Sequence, residues 1–204
     1  MKRKRLVRGT GLLDNFIGNL RIRFVEKNIQ DNLRTGKILD LGCGNYPKFL
    51  IETKFKEKFG IDKIDNPEIL ECISKQNITI INRNLEIDTC LPYESNSFDV
   101  ITFLAVIEHF NCDTGLNILK EVFRVLKPGG MFIATTPNKW SHFILRILAF
   151  IGLASKIEIA EHKFLYNPEI LQKQLTEAGF LSSNIKIKRF ELGMNLCSVS
   201  KKQK

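Results

Sequence analysis

Two carboxylates close short apolar runs, Asp40 in Ile38–Leu41 and Asp62 in Phe59–Asp62, and they stand 22 residues apart. Gly42–Cys43–Gly44 follows the first of them. Glycine has no Cβ and tolerates positive φ, so a Gly-x-Gly pair after a buried strand lets backbone approach a ligand closely. A second strand-end acid at this interval suits a βαβ unit that cradles a nucleotide and holds its ribose hydroxyls. A bare Gly-x-Gly serves several cofactors, so the choice among them rests on the rest of the chain.

The elements that must carry these residues alternate. Apolar positions Leu13, Phe16, Ile17, Leu20, Phe24 and Ile29 recur at helical spacing and predict an N-terminal amphipathic helix or helix pair ending near Thr35–Gly36. Strands are expected at Ile38–Leu41, Phe59–Asp62, Ile78–Ile81, Phe98–Leu104 and Met131–Thr135. Between them, Pro47 opens an abbreviated helix, Pro67–Lys75 forms a second, and Asp113–Leu126 a third that stops at a Pro128–Gly129–Gly130 turn. Trp140–Ala154 reads as a mostly apolar helical stretch, and Ser155–Tyr166 as a polar segment. A helix from Asn167–Pro168 through Ala178 closes at Gly179, and Ile185–Phe190 with Met194–Ser200 reads as a hairpin around Gly193. Strands alternating with helices define an α/β domain with a mainly parallel sheet.

The bulk numbers agree with one globular unit of 204 residues. The net charge of +9 concentrates at the ends, in Lys2, Arg3, Lys4, Arg5, Arg8, Lys201, Lys202 and Lys204. Without them basic and acidic side chains nearly balance, so the tails read as solvated ends, with adhesion to an anionic membrane or to nucleic acid as the other reading. The five cysteines form no Cys-x-x-Cys pair and are odd in number, which predicts a reducing, cytoplasmic setting and no zinc or disulfide framework. Leu6–Val7 is too short for a signal-peptide core, and Phe143–Ala154, interrupted by Arg146, falls short of a membrane span.

Four further segments narrow the cofactor. Ile38–Gly44, Gly60–Asp62, Leu91–Val100 running on to Ile107–Glu108–His109, and Leu126–Gly130 follow one another in an order that resembles the class I S-adenosylmethionine-dependent methyltransferases. Glu161–Glu169 and Glu177–Phe180 resemble the tail of that family's small-molecule, type 11-like members. The resemblance covers about residues 37–180. It implies a Rossmann-like, doubly wound seven-stranded sheet of order 3-2-1-4-5-7-6, mostly parallel with an antiparallel C-terminal strand. Together with the charge and periodicity above, it divides the single domain 1–204 into a basic tail (1–9), an N-terminal helical segment (10–35), a cofactor-binding core (37–136), a lid or substrate segment (137–166) and a C-terminal helix and hairpin (167–200).

The same resemblance assigns roles. Asp40 orients the glycine loop near the cationic part of S-adenosylmethionine, while Gly42, Cys43 and Gly44 admit its methionyl end, Cys43 only as a small residue. Asp62 holds the ribose, Asn84 offers adenine a carbonyl acceptor in place of the family's Asp, and Asp88 is the rival for that role. Leu85 and Leu104 contact adenine and the methionyl chain. Tyr46, where the family often has a third glycine, marks a departure. Methyl transfer from a sulfonium needs alignment above all, and a base only for a hydroxyl or protonated amine. His109, beside Glu108, and His162 are the candidates for base or acceptor-positioning group, and His142 is expected to be structural.

The expected activity is therefore O-methylation by in-line displacement of a small-molecule, glycan or lipid-type acceptor, leaving S-adenosylhomocysteine, with no metal. Residues 140–154 are the specificity element, as a buried lid or as a peripheral membrane contact shared with the basic tails. A non-catalytic S-adenosylmethionine-binding scaffold and an RNA methyltransferase are the alternatives. A nicotinamide oxidoreductase would need a third glycine near Tyr46–Pro47 to receive a pyrophosphate. The lack of a Pro-Pro-Tyr/Phe motif after the fourth strand disfavours amino-methylation of nucleic-acid bases.

Overall fold

The computed structural model describes residues 14–64, 73, 76–144, 150 and 161–204. Its framework is a seven-stranded sheet: β1 (Lys37–Leu41), β2 (Glu57–Asp62), β3 (Ile78–Asn82), β4 (Phe98–Leu104), β5 (Leu126–Pro137), β6 (Ile185–Phe190) and β7 (Asn195–Lys201). The order is β3-β2-β1-β4-β5-β7-β6, as the family resemblance implies. The first five strands pair in parallel, and β7 runs antiparallel to both β5 and β6. The near-continuous apolar runs of β1 and β4 follow from this topology, since central parallel strands are buried on both faces.

Helices cover both faces. α1 (Asp14–Glu26) and α2 (Lys48–Glu52) lie on one side, where Val25, Phe49 and Leu50 pack with Ile38 and Ile133. Phe24 of α1 stacks on Phe190 of β6 at 4.6 Å, which docks the N-terminal helix on the sheet. α3 (Cys112–Val125) and α4 (Pro168–Glu177) cover the other side through Ile118, Leu119, Val122, Leu171 and Leu175. Asn111 and Asn167 cap these two helices, each accepting a hydrogen bond from a backbone N–H three residues on. The helix expected over Pro67–Lys75 falls mostly outside the described residues, as do the basic residues 1–13.

Two expectations need correction. Lys127–Gly130 is not a turn ahead of the fifth strand but part of β5, which begins at Leu126 opposite Phe98. The register then slips between Phe98 and Val100, with Gly129 at φ +77 absorbing the irregularity. Lys202 is not a solvated tail charge either. Its ammonium donates to the carbonyls of Phe123 and Leu126, both at 2.7 Å, and to Asn96 Oδ1 at 2.8 Å, over the ring of Phe123. A cation there satisfies the last carbonyls of α3 and faces the negative end of its dipole. Lys202→Ala is expected to lower stability by about 1–2 kcal/mol in urea denaturation, with Lys202→Met recovering only the contribution of the stem.

Candidate active site at the carboxyl ends of the strands

Asp40, Asp62 and Leu104 end up at the carboxyl edges of three adjacent strands, where ligands of open α/β sheets bind. The loop after β1 folds back onto β2: Gly42 N donates to Ile61 O at 2.8 Å, and Gly44 N donates to Asp62 Oδ2 at 2.5 Å. Both glycines have positive φ, +69 and +75. A Cβ on Gly42 would meet the two methyls of Val106 at 2.5 and 2.6 Å, whereas one on Gly44 would have no neighbour closer than 3.9 Å. The side of Gly44 is thus open where that of Gly42 is packed. Tyr46, at the departure from the family pattern, points away from packed surroundings and is 46% exposed, while Pro47 caps α2 rather than forming its first residue.

Asp40 is buried beneath this loop and accepts a hydrogen bond from Thr102 Oγ1 at 2.6 Å. Burial raises its carboxyl from the ordinary 3.8 to about 7, the Thr102 bond works against that shift, and nearby Asp62 adds to it. Such a carboxyl is only partly ionised at neutral pH, and a nearby cation would favour its charged form. Cys43 packs against Gly60 on the far side of the loop, and burial pushes its thiol well up, as a spacer residue requires. Leu85 is buried, and Asn84 Oδ1 accepts the N–H of Glu86 at 2.9 Å, so a contact to a ligand uses its second lone pair. Asp88 is engaged with Arg83 and with Cys90 N.

The strand β4 leaves the sheet through a left-handed residue that is not glycine: Ala105, at φ +55, donates to Thr135 O at 2.9 Å and Thr135 Oγ1 at 3.1 Å. This bend throws Val106 over Gly42 and starts a short 3-10 turn, Ile107–His109. The backbone oxygen of Glu108 then accepts hydrogen bonds from Lys163 N at 2.8 Å and Phe164 N at 3.1 Å. Tyr166 holds the same segment in place, its carbonyl accepting from Lys139 N and its hydroxyl donating to Gln174 Oε1.

These bonds bring three histidines together. The rings of His109 and His162 lie edge to face at 5.3 Å, and His142 lies 5.9 Å from His162. Burial first, and then the neighbouring His109 and His142, push His162 down to about 4, so its ring is neutral at neutral pH. The Glu108 side chain is buried beside them, 2% exposed. The residues missed by sequence reasoning are Thr102, Val106 and the membership of His142 in this cluster. None carries a local signal, because each acts through a partner distant in sequence.

A Rossmann-like sheet with a glycine loop between two strand-end acids defines a nucleotide-cofactor-binding α/β protein. Residues 14–181 match the family model described as a methyltransferase domain, and the chain belongs to that family, whose fold is that of the class I S-adenosylmethionine-dependent methyltransferases. It is 30% identical over 186 residues to a demethylmenaquinone methyltransferase of Staphylococcus saprophyticus, covering 80% of this chain and 77% of the relative. It is 28% identical over 174 residues to a ubiquinone biosynthesis O-methyltransferase of Idiomarina loihiensis, covering 81% and 69%. The chain spans only 49% and 57% of the length of two other curated relatives. Among solved structures, a SAM-dependent methyltransferase from Thermotoga maritima superposes with a TM-score of 0.70 at 19% identity, over 93% of this chain and 90% of that one. Among the described residues no helix is long and apolar enough to cross a membrane.

Proposed function

We propose that the protein is an S-adenosylmethionine-dependent O-methyltransferase acting on a small aromatic hydroxyl of the catechol or quinol class. The observation that carries this reading is the placement of Glu108 and His109 in the short turn after Val106, which itself covers Gly42, with His162 packed against His109. Groups able to handle an acceptor proton thus stand beside the cofactor cradle. The oxygen acceptor is taken from the name of one relative, a ubiquinone biosynthesis O-methyltransferase, and the quinone-like ring from both relatives' names.

In this reading residues 37–136 bind the cofactor, and His142 and His162 lie on the acceptor side; most of the 140–154 stretch expected to set specificity lies outside the described residues. Asp62 holds the ribose hydroxyls, and Asn84 and Leu85 receive the adenine. The Gly42–Gly44 backbone and Leu104 line the methionyl end, and Asp40 faces its positive charge. The cofactor supplies a methyl group on a sulfonium leaving group. The chain's share is alignment, worth several kcal/mol by proximity, together with exclusion of water and removal of the acceptor proton by the Glu108–His109–His162 cluster.

The test is transfer of an isotopically labelled methyl from S-adenosylmethionine to a water-soluble catechol. The label should appear in an aryl methyl ether, with one S-adenosylhomocysteine formed per ether. No label on oxygen across a panel of catechols and hydroquinones would refute the proposal.

Asp40 adds a pH dependence with a definite sign. Its folded-state pKa is raised, so in the free protein it costs stability as pH climbs from about 4 toward 7. A cationic ligand favours the ionised form. Affinity for S-adenosylmethionine should therefore rise by up to about tenfold per pH unit below pH 7 and level off above it. Thr102→Val removes a bond that favours ionisation, and the midpoint measured by calorimetry should move to higher pH.

A further inference from the structure

We infer that Glu108, His109 and His162 form a binding site for one divalent transition-metal ion at the acceptor side of the cleft. Each residue offers one ligand atom, and the three atoms lie within 4.8 Å of one another. Small side-chain rotations bring such a set around a single ion at bond lengths near 2.0–2.2 Å. The site is held from two directions. The 3-10 turn fixes Glu108 and His109, and the hydrogen bonds from Lys163 N and Phe164 N to Glu108 O lock His162 against them across 53 residues of sequence. His162 Nδ1 is buried without a hydrogen-bond partner among the described residues, an arrangement that suits a lone pair reserved for a ligand.

The donor chemistry selects the ion. Two imidazoles and one carboxylate suit zinc, manganese, iron(II) or cobalt, and disfavour magnesium and calcium, which prefer oxygen ligands. A cation here also sets a positive charge against the buried Glu108 carboxylate. Three protein ligands leave coordination positions open, as catalytic rather than structural sites do. Those positions fit an acceptor with two adjacent oxygens. The inference thus rests on the proposed acceptor class and changes one role: with the ion bound, the three ligands no longer take the acceptor proton themselves, and the ion would instead lower the pKa of the hydroxyl so that its proton passes to water.

Cobalt(II), added alone to the intact chelator-treated chain, is the probe. One equivalent should bind and give visible absorption without thiolate charge-transfer bands, which sets the site apart from the cysteines. His109→Ala and His162→Ala should each weaken binding by about tenfold or more, while His142→Ala changes it by less than about threefold. Glu108→Gln keeps the volume of the buried side chain and should weaken binding as well, and circular dichroism checks its fold. No saturable cobalt binding, thiolate bands, or affinity indifferent to His109 and His162 would overturn the site. Calorimetry with S-adenosylhomocysteine on the same samples separates the two readings. Cofactor binding without cobalt binding refutes the metal site alone, and cobalt binding without methyl transfer refutes the proposed reaction while the site stands.

Discussion

Asp62→Ala is expected to weaken S-adenosylhomocysteine binding on the order of a hundredfold, about 2.7 kcal/mol, while the fold is retained. Two losses combine. The carboxylate anchors the glycine loop through Gly44 N, and in the proposed function it also accepts from the ribose hydroxyls. Hydrogen bonds to a charged acceptor contribute about 1.5–3 kcal/mol each, so losing two reaches that range even after partial compensation by water. Asp62→Asn keeps one carbonyl oxygen for the loop and should fall between the variant and the wild type. Equal affinity in all three proteins, measured by calorimetry, would remove Asp62 from the site.

The second large effect is at Gly42. Gly42→Ala places a Cβ 2.5 and 2.6 Å from the Val106 methyls in a backbone at φ +69. The left-handed conformation alone costs an L-residue about 1–2 kcal/mol, and overpacking adds about 1–3 kcal/mol. A stability loss of about 2–5 kcal/mol in chemical denaturation is expected. Val106→Ala in the same chain should return the packing part and leave the backbone part, so the pair is not additive. Gly44→Ala supplies the contrast. Its Cβ meets nothing closer than 3.9 Å, so stability should fall only by the conformational cost, while with the ligand placed as proposed cofactor affinity should fall further. Equal stability losses at Gly42 and Gly44 would contradict this assignment of the clash.

The parts of the structure that were readable from sequence are those set by local periodicity. β1 and β4 are apolar runs ended by turn residues, and their burial on both faces of the sheet follows from that pattern. Asn167–Pro168 at the start of α4 is a cap signal that needs no tertiary context. By contrast, Pro128–Gly129–Gly130 has the composition of a turn, and only pairing with β4 and with the chain after β7 makes it an irregular stretch of β5. Lys202 looks like one of a run of tail charges until the carbonyls of α3 are placed around it.

The site divides the same way. Asp40, the two glycines and Asp62 announce themselves because a strand end and a tight turn are local events. The burial that raises Asp40, and the Thr102 hydroxyl that opposes it, belong to the neighbouring strand β4 and leave no mark near residue 40. The cluster of His109, His142 and His162 is assembled from three segments by backbone hydrogen bonds. No spacing rule relates those positions in the chain.

We propose that the carboxyl ends of β1, β2 and β4 hold S-adenosylmethionine through the glycine loop and Asp62. Calorimetric titration of the intact protein with S-adenosylhomocysteine tests it most directly. One equivalent should bind with micromolar affinity, near −8 kcal/mol, and Asp62→Ala should weaken it on the order of a hundredfold. Absence of binding at millimolar ligand, or binding untouched by Asp62→Ala, would contradict it.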